Sequence, residues 1–160
     1  VGETAFYISP RLVKQVRSDE AEQIWWSEVS KDPQGDDLSF GSLWRWNEAK
    51  RKAEMVVEIQ KSQVTGTWDG AFDICKDRVL IATKGEKSYI YDISKPKLYQ
   101  LILETPLSIR TFRWDTTGKV WLIEGRGRLI LLPNANSPSR FEVALSSHYG
   151  FTDFDFQVAR

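Results

Sequence analysis

His148 is the only histidine of the chain and Cys75 the only cysteine. Any chemistry that needs an imidazole base or a thiolate must therefore run through those two residues. His148 sits in the stretch Ser146-Ser147-His148-Tyr149-Gly150. A Ser–His or Cys75–His148 pair would need a third group to orient the imidazole before it could activate a nucleophile, and no carboxylate stands where it assigns itself to that role. A histidine on a surface loop accounts for the residue more simply. One imidazole, one thiol and scattered carboxylates do not make a zinc pattern, so neither a metal site nor a cofactor is expected. Asp153 and Asp155 alternate along an extended stretch and would point the same way. Paired carboxylates can do acid–base work, but the wet side of an amphipathic strand has the same pattern. Gly125-Arg126-Gly127-Arg128 is no phosphate loop, because nothing suggests a following helix to meet a phosphate. These residues point away from an enzyme.

The aromatic and basic residues point towards binding. Seven tryptophans occur, at positions 25, 26, 44, 46, 68, 114 and 121. Tryptophan carries much contact energy when it meets a partner, although strand alternation buries about half of such residues for packing alone. Trp46 and Trp114 read as core. Adjacent residues of a strand face opposite sides, so one of Trp25 and Trp26 leaves the core face if that stretch is extended, and Trp121 stands in a similar place after Val120. Trp25, Trp26 and Trp121, with Phe154 and Phe156 near the C-terminus, are the expected contacts for a protein partner. Arg110, Arg113, Arg126 and Arg128 beside Trp121 could instead stack on and neutralise single-stranded nucleic acid, with Lys50-Arg51-Lys52 as a second basic spot. The acidic neighbours Asp115 and Glu124 oppose that, as does the balance of 22 Lys plus Arg against 22 Asp plus Glu.

Short strands joined by tight turns must position these residues. From Ile109 to Leu145, residues 110–114 alternate with Phe112 and Trp114 on one face. Asp115-Thr116-Thr117-Gly118 supplies a turn in which the aspartate bonds back to the chain. Residues 119–124 and 128–132 flank the hairpin turn Gly125-Arg126-Gly127, and residues 141–145 alternate again after Pro133-Asn134-Ala135-Asn136. The same order occurs upstream: residues 71–74, the turn 75–77, residues 78–83, the turn 84–86, residues 88–93, a break at Ser94-Lys95-Pro96, and residues 98–103. Phe72 and Phe112 stand forty positions apart, as do Tyr89 and Leu129, and Leu101 and Phe141, while Val79 and Val120 are forty-one apart.

A period of about 40 residues with four strands per unit resembles a WD40-like β-propeller over residues 69–145. Tyr91-Asp92 stands where that family has Trp-Asp, Leu131-Leu132 keeps neither residue, and no Gly-His pair opens either unit. Two successive four-stranded meanders of a barrel or sandwich remain the other reading. Phe72, Val79, Ile81, Tyr91, Phe112, Trp114, Val120 and Leu122 are the expected core. The resemblance implies an array with open ends, since two or three such units do not close a ring of ~4–8 blades.

The first part of the chain reads differently. Residues 4–8 could be a short strand. Ser9-Pro10 fits a helix start carrying Leu12, Val13 and Val16 on one face, and Asp19 to Glu22 has the capping-box form before a second short helix through Trp25 and Val29. The alternative makes 23–29 a strand. Lys31 to Asp37 is a loop. Residues 47–60 are rich in helix formers and predict a helix, against an alternation of Met55, Val57 and Ile59 that would make a third, more divergent unit from about 22 to 61. The expected organisation is one mainly β folded domain: a helical or mixed segment at 1–61 packing on an antiparallel region at 62–160 with two repeats.

At 160 residues, 41% hydrophobic and 28% charged, the chain is globular rather than disordered, and no apolar run is long enough to span a bilayer. An intracellular, non-enzymatic interaction or scaffold module is expected. Its partner would be another protein, or a second copy, adding to the edge strand at 151–158, whose apolar face is Phe154, Phe156 and Val158. A nucleic-acid-binding subunit is the alternative, and a tryptophan-lined carbohydrate-binding module the next.

Overall fold

The structure is a computed structural model that describes residues 11–30, 40–115, 117, 119–132, 142–145 and 154. They form three four-stranded antiparallel sheets, each built from strands consecutive in sequence. The first contains β1 (Arg11–Ser18), β2 (Ile24–Ser30), β3 (Phe40–Asn47) and β4 (Lys52–Glu58). The second contains β5 (Thr67–Cys75), β6 (Arg78–Lys84), β7 (Ser88–Asp92) and β8 (Gln100–Thr105). The third contains β9 (Ile109–Trp114), β10 (Val120–Glu124), β11 (Leu129–Leu132) and β12 (Glu142–Leu145). The two units expected between 69 and 145 are the second and third sheets.

No α-helix occurs among the described residues, and one 3-10 turn spans Lys61–Gln63. The expected N-terminal helices are therefore corrected where they are described. Leu12, Val13 and Val16 lie on strand β1, and Ile24, Trp25 and Val29 on strand β2. Asp19 does accept backbone N–H groups, from Ala21 and Gln23 at 2.9 Å each, but it closes a hairpin turn with them. Glu22 in that turn has φ of 60°, a left-handed conformation that ends any right-handed helix. The helix expected over 47–60 is likewise a turn followed by β4. Asn47 Oδ1 takes the Lys50 N–H at 3.0 Å, Arg51 turns through φ of 50°, and residues 52–58 pair along β3. Ladder pairing with β3 overrides the helix propensity of the segment. The strand expected at 4–8, the helix start at Ser9-Pro10, the loop 31–37, and His148 with Ser146 and Ser147 all lie outside the described residues.

The middle sheet is packed on both faces. Its Trp68, Phe72, Ile81 and Tyr91 meet Trp25, Val29, Leu43 and Ile59 in one cluster. Its Ala71, Leu80, Ala82, Ile90 and Leu103 meet Phe112, Val120, Leu122, Ile130 and Leu132 of the third sheet in the other. The expected core residues are all in these two clusters or packed against them, Val79 and Trp114 being half-buried. Trp46, expected in the core, is exposed on the far face of the first sheet.

Gly41 permits the closest approach between sheets. A Cβ there would stand 2.2 Å from Cζ3 of Trp68 and 2.6 Å from the Glu28 carbonyl oxygen, so the indole lies directly on the backbone of the first sheet. It is held there by its N–H, which donates to the Ala71 carbonyl at 2.8 Å.

The first strands of the sheets adjoin, β1 against β5 and β5 against β9. Polar side chains join them. The Phe72 N–H donates to Gln15 Oε1 at 3.5 Å, and Arg17 Nη2 donates to Thr111 Oγ1 at 2.7 Å. Asp73 accepts from Arg113 Nη1 and from the Trp114 N–H, both at 2.8 Å. Burial raises the Asp73 carboxyl above the ordinary aspartate range, against the opposing pull of the Trp114 N–H and the Arg113 guanidinium.

Candidate interaction surface

The second sheet presents one face towards the sheet before it and one towards the sheet after it. Register shows that the three sheets are built alike on the first of these faces. In the second sheet Phe72, Ile81, Tyr91 and Leu101 are direct partners across all four strands. In the third, Phe112, Leu122, Ile130 and Val143 form the same row. In the first, the row is Val16, Trp26, Trp44 and Met55. Phe72 and Phe112 are each 0% exposed because the preceding sheet covers them, whereas Val16 at their place in the first sheet is 56% exposed; at the far end of the rows Met55 and Leu101 are alike, 52% and 51% exposed.

That row, which no other described sheet packs against, lies within a wider apolar face. By strand alternation it includes Val13, Ile24 and Trp46, all exposed. Trp26 and Trp44 stack across the strand pair, their ring centroids 6.5 Å apart and their planes 12° from parallel. Each indole is also fixed by its N–H: Trp26 on Glu28 at 3.2 Å, Trp44 on Ser42 at 2.9 Å and Trp46 on Glu48 at 2.7 Å. The partner of each lies two residues away along its own chain.

The other expected contact residues fall elsewhere. Trp25 faces the second sheet and is buried, its N–H on Asp19 at 2.9 Å and the Arg45 guanidinium 5.4 Å from its ring centroid. Trp121 is half-buried on the face of the third sheet that points away from the second. Its N–H donates to Asp115 Oδ2 at 2.9 Å. Asp115 Oδ1 takes the N–H groups of Thr117 and Lys119 at 2.8 and 3.0 Å. Asp19 and Trp25 make the same turn in the first sheet, a repeated Asp-x5-Trp device visible in sequence only once the strand register is known. Burial pushes the Asp115 carboxyl up, but the bonds from Thr117, Trp121 and Lys119 outweigh it and hold the group below the ordinary range. Phe154 is half-buried and its carbonyl accepts from Arg113 Nε at 3.4 Å. Phe156 lies outside the described residues.

The four arginines do not act as one set. Arg113 is buried on Asp73. Arg128 makes paired bonds of 2.7 and 2.8 Å to the two oxygens of Glu124. That pairing raises the guanidinium and lowers the carboxyl. Arg110 donates to the Gly125 carbonyl at 3.1 Å and, with Arg126, remains exposed. Two exposed cations beside a neutralised pair form a small basic spot.

A cleft of about 340 Å³ lies where the start of β5, the β6–β7 turn and the β8–β9 connection meet, lined by Thr67, Asp69, Lys84, Lys87, Ser88 and Ser108 among others. It is near the lower end of ligand-pocket volumes. Lys84 pairs with Asp69 at 2.7 Å and Lys87 with Glu104 at 2.5 Å, and the Glu104 bond raises Lys87 and keeps it charged. Cys75 ends β5 half-buried, its thiol pushed up by burial and by Asp73, opposite to what a nucleophile needs. Among the described residues no group of three or more His, Cys, Asp or Glu could hold a metal ion, and no helix is long and apolar enough to cross a membrane. The chain matches no family model, no curated protein and no solved structure.

Proposed function

We propose that this chain is a non-enzymatic protein–protein interaction module of propeller-blade-like sheets, and that its docking site is the face of the first sheet that points away from the second. The occupant is a further antiparallel sheet from a protein partner, presenting an aliphatic face. One observation carries this: the row Val16–Trp26–Trp44–Met55 occupies the position whose first three places, in the second and third sheets, lie under a preceding sheet. The surfaces that fill this position inside the chain also set the partner's chemistry. Val29 and Leu43 do so against the second sheet, and Leu80, Ala82 and Ile90 against the third, so the complementary surface is aliphatic and uncharged. Two sheets packed in this way interdigitate at about 10 Å. Contiguous exposed apolar surface of this kind marks association sites on soluble proteins.

A photoreactive benzophenone side chain placed at Met55, in the chain as produced by its source cell, tests the proposal. The expected product joins position 55 to a strand of another polypeptide. Products joining position 55 only to residues of the same molecule, or no product, would overturn it.

A further inference from the structure

The cleft between the second and third sheets has a place fixed by register. Ser88 and Lys84 pair three residues beyond Tyr91 and Ile81, just as Gly41 and Val29 pair three residues beyond Trp44 and Trp26. Trp68 and Ile109 correspond in the same way, since each pairs with the residue two beyond the row, Thr83 and Glu124. At the first junction the Trp68 indole lies on Gly41 and closes the gap. At the second, Ile109 meets Ser88, its N–H donating to Ser88 Oγ at 3.4 Å. The smaller side chain leaves the end of the gap open, and the cleft stands there.

Its lining is rich in donors that the protein does not use. Ser88 is 2% exposed, and its hydroxyl accepts the Ile109 N–H but donates to no protein group among the described residues. The hydroxyls of Thr67 and Ser108, also on the lining, donate to none either. Lys84 and Lys87 each spend one N–H, on Asp69 and Glu104, and an ammonium has three. The third-sheet wall brings further positive charge. The Gly125 N–H donates to the Ser108 carbonyl at 2.9 Å and Arg110 donates to the Gly125 carbonyl at 3.1 Å. Arg126 follows directly, and both guanidiniums are exposed. Of the carboxylates nearby, Asp69 and Glu104 are each held by a lysine. Glu86 is the one lining carboxylate with no cation on it among the described residues.

We propose that this cleft binds the phosphoryl group of a small molecule, with the buried Ser88 hydroxyl at its inner end and Lys84 and Lys87 at its sides. A carboxylate offers two oxygens, whereas a phosphoryl group offers three strong acceptors, a closer match to three hydroxyls and two partly spent ammoniums. Lysine serves phosphate as a point charge, and Arg110 and Arg126 add to the attracting field at the mouth. The assignment does not depend on the docking face of the first sheet, which lies beyond the other side of the second sheet.

Titration of inorganic phosphate, and separately of glycerol phosphate, into the isotope-labelled full chain at constant ionic strength tests the site. The amide signals of Gly85, Lys87, Ser88 and Ser108 should shift and saturate, while those of Val16 and Met55 stay in place. Lys87→Gln and Ser88→Ala should each weaken binding roughly tenfold. Glu86→Gln should strengthen it, a gain that no loss of folding imitates. Tighter saturation by glycerol phosphate than by inorganic phosphate would mark an ester as the source of the group, and the reverse would mark the free ion. Shifts that do not saturate would overturn the assignment. Binding left unchanged by Lys87→Gln and Ser88→Ala, or weakened by Glu86→Gln, would overturn it equally.

Discussion

Replacing Gly41 by alanine tests how the first sheet is locked onto the second. The added Cβ would meet two atoms of the Trp68 ring, at 2.2 and 2.6 Å, and the Glu28 carbonyl oxygen at 2.6 Å. The ring cannot swing away, because Trp68 is 2% exposed and its N–H is committed to Ala71. The carbonyl belongs to the β2–β3 ladder and cannot move without breaking it. Overpacking of this kind costs roughly 1–3 kcal/mol, and a clash with immobile main chain places Gly41→Ala near the upper end. A loss of about 3 kcal/mol corresponds to a fall in Tm of roughly 6–12 °C for a domain of this size. Urea unfolding followed by tryptophan fluorescence measures it, and a second variant makes the cause specific. Trp68→Phe removes the ring atoms that clash, so the double variant should lose clearly less than the sum of the single losses. A loss below about 0.5 kcal/mol for Gly41→Ala, the range of ordinary surface changes, would refute the reasoning. Strict additivity with Trp68→Phe would refute it too.

Two aspartates give predictions of opposite sign. Asp115→Ala removes the acceptor of the turn and of the Trp121 indole, and should cost about 2 kcal/mol at neutral pH. Because the folded protein holds Asp115 below its ordinary value, that contribution is present above about pH 4 and is lost as pH falls through the lowered value. The gap between wild type and Asp115→Ala should therefore narrow on acidification in urea titrations, and a gap that widens would contradict it. Asp73 is raised by burial, so its neutral form favours folding below about pH 4 and that advantage is lost as pH rises through the raised value. The stability of wild type relative to Asp73→Asn should fall between acid and neutral pH. A rise would mean that the attraction of Arg113 outweighs burial.

The second and third sheets were legible because their hairpins use turn chemistry that leaves a mark in sequence. Asp115 and Gly127 do what their residue types imply, and the forty-residue step from Phe72 to Phe112 is the step between equivalent places in two ladders. The first sheet was hidden for two physical reasons. β4 is an edge strand whose exposed residues Lys52 and Ala53 have no packing demand within the chain to impose strand-like types, so helix formers stand there unopposed. Its turns use Glu22 and Arg51 in left-handed conformations, where glycine or asparagine would have signalled a reversal. The proposed docking face was half visible. Trp25 and Trp26 were chosen together because one of them must leave the core face; it is Trp26, which Trp44 and Met55 join through cross-strand register, while Trp25 points the other way. Arg113, grouped with surface arginines, is buried because Asp73 stands forty positions earlier in the neighbouring sheet.

The central claim is that the first sheet's outer row belongs to an interface and not to the core of this chain. Val16→Lys with Met55→Lys places two charges on the row without touching either buried cluster. Equilibrium unfolding of this variant beside wild type, with cross-linking from position 46 in both, is the most direct measurement. Folding stability should stay within about 0.5 kcal/mol, while the cross-linked product with the partner sheet disappears. A loss of several kcal/mol in the isolated chain, or an undiminished cross-link, would contradict the account.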